Sequence, residues 1–462
     1  MRPWRAEVRR QFALALPIVF VQLGLFAMGA IDGAFLGRVD KLQYAGGAAG
    51  NAYGFAFLAF GMGAVSVLDP IVGQAFGARD WSAIARGLQR GLLLALLISL
   101  PLSLCIWQAE WVLRLAHVDP EIVPIATAFA RISILSVPPF LLFVALRQAS
   151  QAMHRLRPLM VVILLANGLN AFLDWVWVFG NLGSRSHGAL GSAWATVVAR
   201  WFMVFALVLL SGRELWRFLW PLADRLLDLR AFLRMLRLGF PIGLQWFVEI
   251  GTFTFVALRM GELGAAELAG HQVAMHLASG SFMVPLGISM AAAVRVANEV
   301  GRGDAAAVRH AAKVALVAGA SIMGVFGAAF TLWPESFAWI FTDRTDILAV
   351  AALLIPLAGF FQVFDGTQGV AAGVLRGLGD TRVPMWIHLA GFWGVAVPLG
   401  LALAFGRELG APGLWWGLVV GLAAVAIALL LRLRIVLRRR IARVVIDRGE
   451  GPAGGGAAEL GA

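Results

Sequence analysis

The chain has 462 residues with 38 Lys plus Arg against 26 Asp plus Glu, a net charge of +12, yet 60% of it is apolar and only 14% charged, with a mean hydropathy of +0.82. Soluble domains average roughly 45–50% apolar and 25% charged, so that class is excluded and an all-α polytopic protein of the lipid bilayer is expected. A single cysteine, Cys105, excludes an internal disulfide and a thiolate metal cluster.

The N-terminus is basic (Arg2, Arg5, Arg9, Arg10), but the apolar stretch behind it is long and shows no small-residue cleavage pattern before Asp32, so the first helix is expected to stay. Cutting at loops rich in Gly, Pro and charge gives twelve spans, near 12–37, 52–75, 91–113, 123–146, 159–180, 189–211, 239–260, 269–297, 311–333, 348–372, 384–405 and 412–436. Placing the N-terminus in the cytoplasm puts 28 of the 38 basic residues on that side, seven on the other and three (Arg131, Arg200, Arg295) within spans. That positive-inside bias predicts a multi-pass protein of the bacterial inner membrane with both termini cytoplasmic. It also accounts for the positive charge without nucleic acid as a partner.

Leu16-Pro17 opens the first span and Phe240-Pro241 the seventh. At the same offset of 224 residues Gly77-Ala-Arg-Asp80 corresponds to Gly301-Arg-Gly-Asp304. Further along, Arg157-Pro158 echoes Arg382-Val-Pro384, and Gly188-x-x-Gly191 echoes Gly410-x-x-Gly413. Two copies of a six-span unit are expected, sharing one orientation because six is even, so that twelve helices form two bundles related by a pseudo-twofold axis along the membrane normal. Residues 1–211 form the first lobe, 212–238 a cytoplasmic linker expected as an amphipathic surface helix, 239–440 the second lobe and 441–462 a disordered tail.

Three spans hold an acid near mid-membrane: Asp32 in the first, Glu249 in the seventh, Asp365 in the tenth. An ionised carboxylate in lipid costs at least ~2.5–3.5 kcal/mol, so these acids should face protein or a wet cavity and bind a cation or proton. In the fifth span Asn167, Asn170 and Asp174 are spaced i, i+3, i+7 on one helix face, and Thr196 in the sixth adds a hydroxyl. With Asp32 these make an oxygen-rich site suited to Na⁺ or H⁺. Interhelical packing is the alternative, and for Asn167 it is the preferred one. In the second lobe lie Gln272, His271 and His276, with His271 expected as a solvated or capping residue near a helix end. Asp69 before Pro70 marks a kink or helix end. Arg131 and Arg200 either pair with acids or reach outward. No Walker A, HExxH, GxSxG or CxxC pattern occurs, which leaves no nucleotide or catalytic motif and no required cofactor.

The strings GAIDGAFLGRVD, GQAFGARD, NGLNAFLDWVWVFG, GFPIGLQWFVEIGTF, GHQVAMHLASGSFMVPLGISMAAAVRVANEVGRGD and FDGTQGVAAGVLRGLGDTRVP together make the chain resemble the multidrug and toxic compound extrusion (MATE) family over residues 10–440, in its NorM-like branch. The resemblance implies a monomeric alternating-access antiporter that exports organic cations, such as drugs, toxins and dyes, in exchange for Na⁺ or H⁺. It assigns Asp32, Asn170, Asp174 and Thr196 to ion and proton coupling in the first lobe. Glu249 and Asp365 match the second-lobe cation site, where Phe361 stands in place of the more usual Tyr. With Gln272 these form the expected ion and substrate set. A lipid-linked oligosaccharide flippase of the same superfamily would favour a cavity rich in Arg, and a membrane-embedded enzyme would need its acids at a membrane surface. The acids here are at mid-membrane.

Overall fold

The computed structural model describes residues 4–116, 118–224 and 226–447. Twelve helices among them are long and apolar enough to cross a membrane. In chain order they are α1 (Trp4–Leu36), α2 (Lys41–Gly77), α3 (Trp81–Trp107), α4 (Ile122–Ala152), α5 (Arg157–Trp177), α6 (Ala189–Leu219), α7 (Leu229–Leu263), α8 (Ala265–Gly301), α9 (Ala305–Leu332), α10 (Thr345–Gly377), α11 (Arg382–Gly406) and α12 (Ala411–Arg438). No strand occurs among the described residues.

The helices outrun the apolar stretches that locate them. A hydropathy boundary falls where charge begins, whereas a helix ends only where its backbone hydrogen bonds do. Thus α7 starts at Leu229 and carries Arg230, Arg234 and Arg237 ahead of the apolar run. The expected separate linker helix over 212–238 is accordingly corrected. Helix α6 breaks at Gly212 (φ 56, ψ −150) and continues to Leu219, and the last ten linker residues are the start of α7. The irregular stretch between is tied to α3 by buried Gln89. Its Nε2 donates to the carbonyls of Phe218 and Pro221 at 2.9 and 3.0 Å, and its Oε1 accepts from the Ala223 amide at 2.7 Å.

The repeat is visible in local geometry. Asp80 caps α3 by accepting from the Ala83 amide at 3.0 Å, and 224 residues on Asp304 caps α9 by accepting from Ala307 at 2.9 Å. Such caps satisfy donors that a helix start leaves unpaired. Before each cap the chain takes a left-handed turn, at Arg79 (φ 58) in one copy and Gly303 (φ 74) in the other.

Packing divides the chain into two compact units, one of Phe20–Gly243 and one of Leu244 onward together with residues up to Val19. The divisions fall inside α1 and α7, not at the loops near 211 and 239. In the first unit α2 meets α7 backbone to backbone: a Cβ on Gly63 would lie 2.8 Å from the Gly243 Cα. In the second, at the same offset, α8 meets α1: a Cβ on Gly287 would lie 2.9 Å from the Val19 amide nitrogen. Contacts this close exclude any side chain.

Within the second unit, α8 is further joined to the start of α1 by a buried ion cluster. Arg295 on α8 donates to Glu7 at 2.7 Å and to Glu299 at 3.1 Å, and Glu299 also pairs with Arg302 at 2.8 Å. Its apolar core gathers Met260, Leu354, Ile355, Phe361, Phe392, Trp415 and Leu422. Residues 441–447 follow α12 without helix and place Ile446 among buried side chains. The rest of the expected disordered tail, 448–462, lies outside the described residues.

Candidate functional site

Each unit encloses one group of acids. In the first unit, α1 carries Asp32, α5 carries Asn170 and Asp174, and α6 carries Thr196. The Thr196 hydroxyl donates to Asp32 Oδ2 at 3.1 Å. Asp174 and Asn170 also approach Asp32, and Ser192 approaches Asp174 from one turn before Thr196. Asn170, Asp174 and Ser192 are fully buried, yet both Asp174 oxygens, both polar atoms of Asn170, Asp32 Oδ1 and Ser192 Oγ lack a protein hydrogen-bond partner. Buried oxygens that the protein leaves unpaired are what a desolvated cation or proton requires. Arg200, one turn past Thr196, lies near enough for its charge to act on Asp32. Its guanidinium donates to Ser136 Oγ at 2.7 Å and lies 4.4 Å from the Phe140 ring centre, so it points inward and does not reach out to lipid headgroups.

Asn167 takes the packing role. Its amide donates across to the Gly24 carbonyl on α1 at 3.0 Å and to Ile163 in its own helix at 2.8 Å. Asp69 is buried just after the break at Ser66–Val67, where α2 resets before Pro70. Arg131 pairs with Glu110 at 3.3 Å and stacks over Trp107.

In the second unit, the spacing of Asp365 and Gln368 on α10 places both on one helix face. The Gln368 Nε2 donates to Asp365 Oδ1 and to Glu249 Oε1 on α7, each at 3.1 Å, so a single amide brings the two acids together. Its Oε1 lies 2.7 Å from Nε2 of His388 on α11, which is in turn 3.0 Å from the Gln245 amide one turn before Glu249. Gln368 and His388 are the members of this candidate site that sequence reasoning missed. The signals were a glutamine three residues past Asp365 and a lone histidine in an apolar span.

The other expected members are Phe361 and Gln272. Phe361 is 2% exposed and packs edge to face on Phe253 and Trp415, with ring centres 5.9 and 5.8 Å away. Phe361 lies one turn before Asp365 on α10 and Phe253 one turn after Glu249 on α7, so this ring contact sits one helical turn from the two acids. Gln272 has an exposed side chain and makes no hydrogen bond to Glu249 or Asp365 among the described residues. His271, expected to be solvated, is instead 1% exposed against the Trp415 ring.

A family model described as MatE matches residues 17–176 and again 241–402, one copy on each half of the repeat. The chain belongs to the MATE family. Among curated MATE relatives, it is 37% identical to the "Probable multidrug resistance protein NorM" of Mesorhizobium japonicum over 449 residues, covering 93% of this chain and 94% of that one. It is 36% identical to the protein of the same name from Pseudomonas putida over 431 residues, with 92% and 93% covered. In fold it is similar to the eukaryotic MATE transporter AtDTX14, with a TM-score of 0.88 at 24% identity over 94% of this chain and 96% of that one. It is also similar to a point mutant of the Vibrio cholerae MATE transporter VcmN, with a TM-score of 0.81 at 17% identity over 94% and 98%. MATE proteins are transporters and not enzymes.

Proposed function

We propose that this MATE protein exports organic cations across the bacterial inner membrane by alternating access, in exchange for Na⁺ or H⁺, working as a monomer with both termini in the cytoplasm. Multidrug export is in keeping with the names of its curated relatives. The observation that carries the reading is the pair of acid groups inside apolar helices, half-buried Asp32 with buried Asp174 in one unit and half-buried Glu249 with buried Asp365 in the other, beside amide or hydroxyl side chains. A carboxylate held at that depth is matched by a positive ligand. Cation for cation is the exchange such sites support, and neither Na⁺ nor H⁺ needs a resident cofactor.

The flippase alternative draws no support from the basic residues. Arg147 donates to Gln22 at 2.8 Å, Arg200 to Ser136, and Arg295 is enclosed by Glu7 and Glu299. Side chains so engaged do not present a phosphate-gripping surface.

Uptake of ethidium into everted vesicles, whose outer face is the cytoplasmic one, with a Na⁺ gradient and a proton gradient imposed separately, tests the reading. Gradient-driven ethidium movement with at least one ion, lost in Asp32→Asn, is the expected result. Downhill flux indifferent to both gradients would instead indicate a passive pathway.

A further inference from the structure

At the end of the first unit where α3 finishes and α4 begins lies a charged cavity of about 480 Å³ that takes no part in the Asp32 group. One wall is the short helix Ala109–Leu115, which presents Glu110 and Arg114 one turn apart. The other is the start of α4, where Val123, Thr127 and Arg131 recur every four residues. Glu110 uses one oxygen on each arginine: Arg114 donates to Oε1 at 2.9 Å and Arg131 to Oε2 at 3.3 Å. Arg131 also lies over the Trp107 ring, 4.9 Å from its centre. Two guanidiniums are thus held together by one carboxylate, which leaves the cavity a net charge of +1 among its described lining residues. Thr127, buried on the α4 wall, keeps a hydroxyl with no protein partner.

Ion pairs between side chains this exposed add little to stability, so holding the fold does not account for bringing two like charges together. The surroundings point to a ligand from the bilayer. Leu97, Leu100, Leu104 and Trp107 on α3 recur every three or four residues and are each more than half exposed, forming one apolar stripe that runs up to the Trp107 ring beneath Arg131. Along a helix these residues span ~15 Å, half of a hydrocarbon core ~30 Å thick and so the depth of one leaflet. Trp107 and, just beyond it, exposed Trp111 are the residue type that marks the level of the headgroups.

The charge selects among headgroups. Each guanidinium is bonded to Glu110 through one nitrogen and keeps further N–H donors, in the planar fork that fits phosphate oxygens. Glu110 is the one carboxylate among the described lining residues, and with both oxygens engaged it offers nothing to an ammonium group. We propose that this cavity binds the headgroup of an anionic phospholipid, with the phosphodiester between Arg114 and Arg131 and an acyl chain along Leu104, Leu100 and Leu97.

The lone cysteine makes the test local, because Cys105 is exposed on α3 two residues before Trp107. Full-length protein carrying a fluorophore on Cys105 is reconstituted in phosphatidylcholine vesicles doped with spin-labelled phosphatidylglycerol or, separately, with spin-labelled phosphatidylethanolamine of the same chains. Phosphatidylglycerol should quench the fluorophore at a mole fraction about fivefold lower, as one net positive charge at a membrane surface allows. Arg114→Gln cancels that charge and should abolish the preference, as should Arg114→Gln combined with Arg131→Gln. Arg114→Gln leaves Arg131 on Glu110 and Trp107, so it carries the test should the double variant not fold. Equal quenching by the two lipids in the wild type, or an unchanged preference in Arg114→Gln, overturns the proposal. Loss of the preference on adding inorganic phosphate at constant ionic strength would make this a site for the free anion and overturn the assignment to lipid.

Discussion

Phe361 shows how one side chain's role depends on which way its helix turn points. The family resemblance sets an aromatic ring one turn before Asp365 as a face for a cation, yet this ring is 2% exposed and held by Phe253 and Trp415. Removing it should therefore act first on packing. Phe→Ala truncations in cores cost ~3–5 kcal/mol, while aliphatic replacements nearer in volume cost less. Phe361→Ala should lower the thermal midpoint in detergent substantially, and Phe361→Leu should recover most of it. Na⁺ or tetraphenylphosphonium affinity of the folded fraction should change little in either variant. A tenfold weaker affinity in a normally stable Phe361→Ala protein would restore the ring to the binding site.

At the scale of elements, α8 and the start of α1 are joined by a cluster that composition alone conceals. Arg295 could be counted as a basic residue inside a span, but its partner Glu7 is 288 positions away and their pairing depends on how α1 packs. With Arg295 gone, Glu7 keeps only the longer contact to exposed Arg10 at 3.8 Å, whereas Glu299 keeps Arg302 at 2.8 Å. Breaking one side of a buried pair costs about 3–5 kcal/mol, more than removing both sides. Arg295→Met should thus destabilise strongly, and Glu7→Gln combined with Arg295→Met should be milder than the single Arg295 change, as judged by thermal unfolding in detergent. Equal losses in the single and double variants would mean that the pair contributes nothing beyond its parts. The same distinction explains what the sequence revealed. The spans, the repeat that pairs Asp80 with Asp304 and the lone acids follow from local patterns. The Gln368–His388 link and the inward turn of Phe361 depend on helix rotation, which hydropathy does not encode in spans apolar on most faces.

For the whole molecule, the duplicated chain carries two acid groups of different make, the two candidate sites. Every residue of the Asp32 group comes from Phe20–Gly243 and every residue of the Glu249 group from Leu244 onward, so each site is built entirely within one unit. Substitutions that share no partner add nearly independently, within roughly 0.3–0.5 kcal/mol. Binding at one site should then be insensitive to neutralisation of the other, even though transport needs both. Asp32→Asn should leave Na⁺ or tetraphenylphosphonium affinity at the Glu249 site within about twofold of wild type, since 1.4 kcal/mol is a factor of ten. The same variant should lose gradient-driven ethidium uptake into everted vesicles. Glu249→Gln should abolish that binding outright. Because protons and cations contend for the same carboxylates, the affinity measured in Asp32→Asn should still weaken between pH 8 and pH 6, as in the wild type. A tenfold loss of binding in Asp32→Asn, with the protein folded, would show that the two acid groups are coupled before any transport step and that the units do not bind on their own terms.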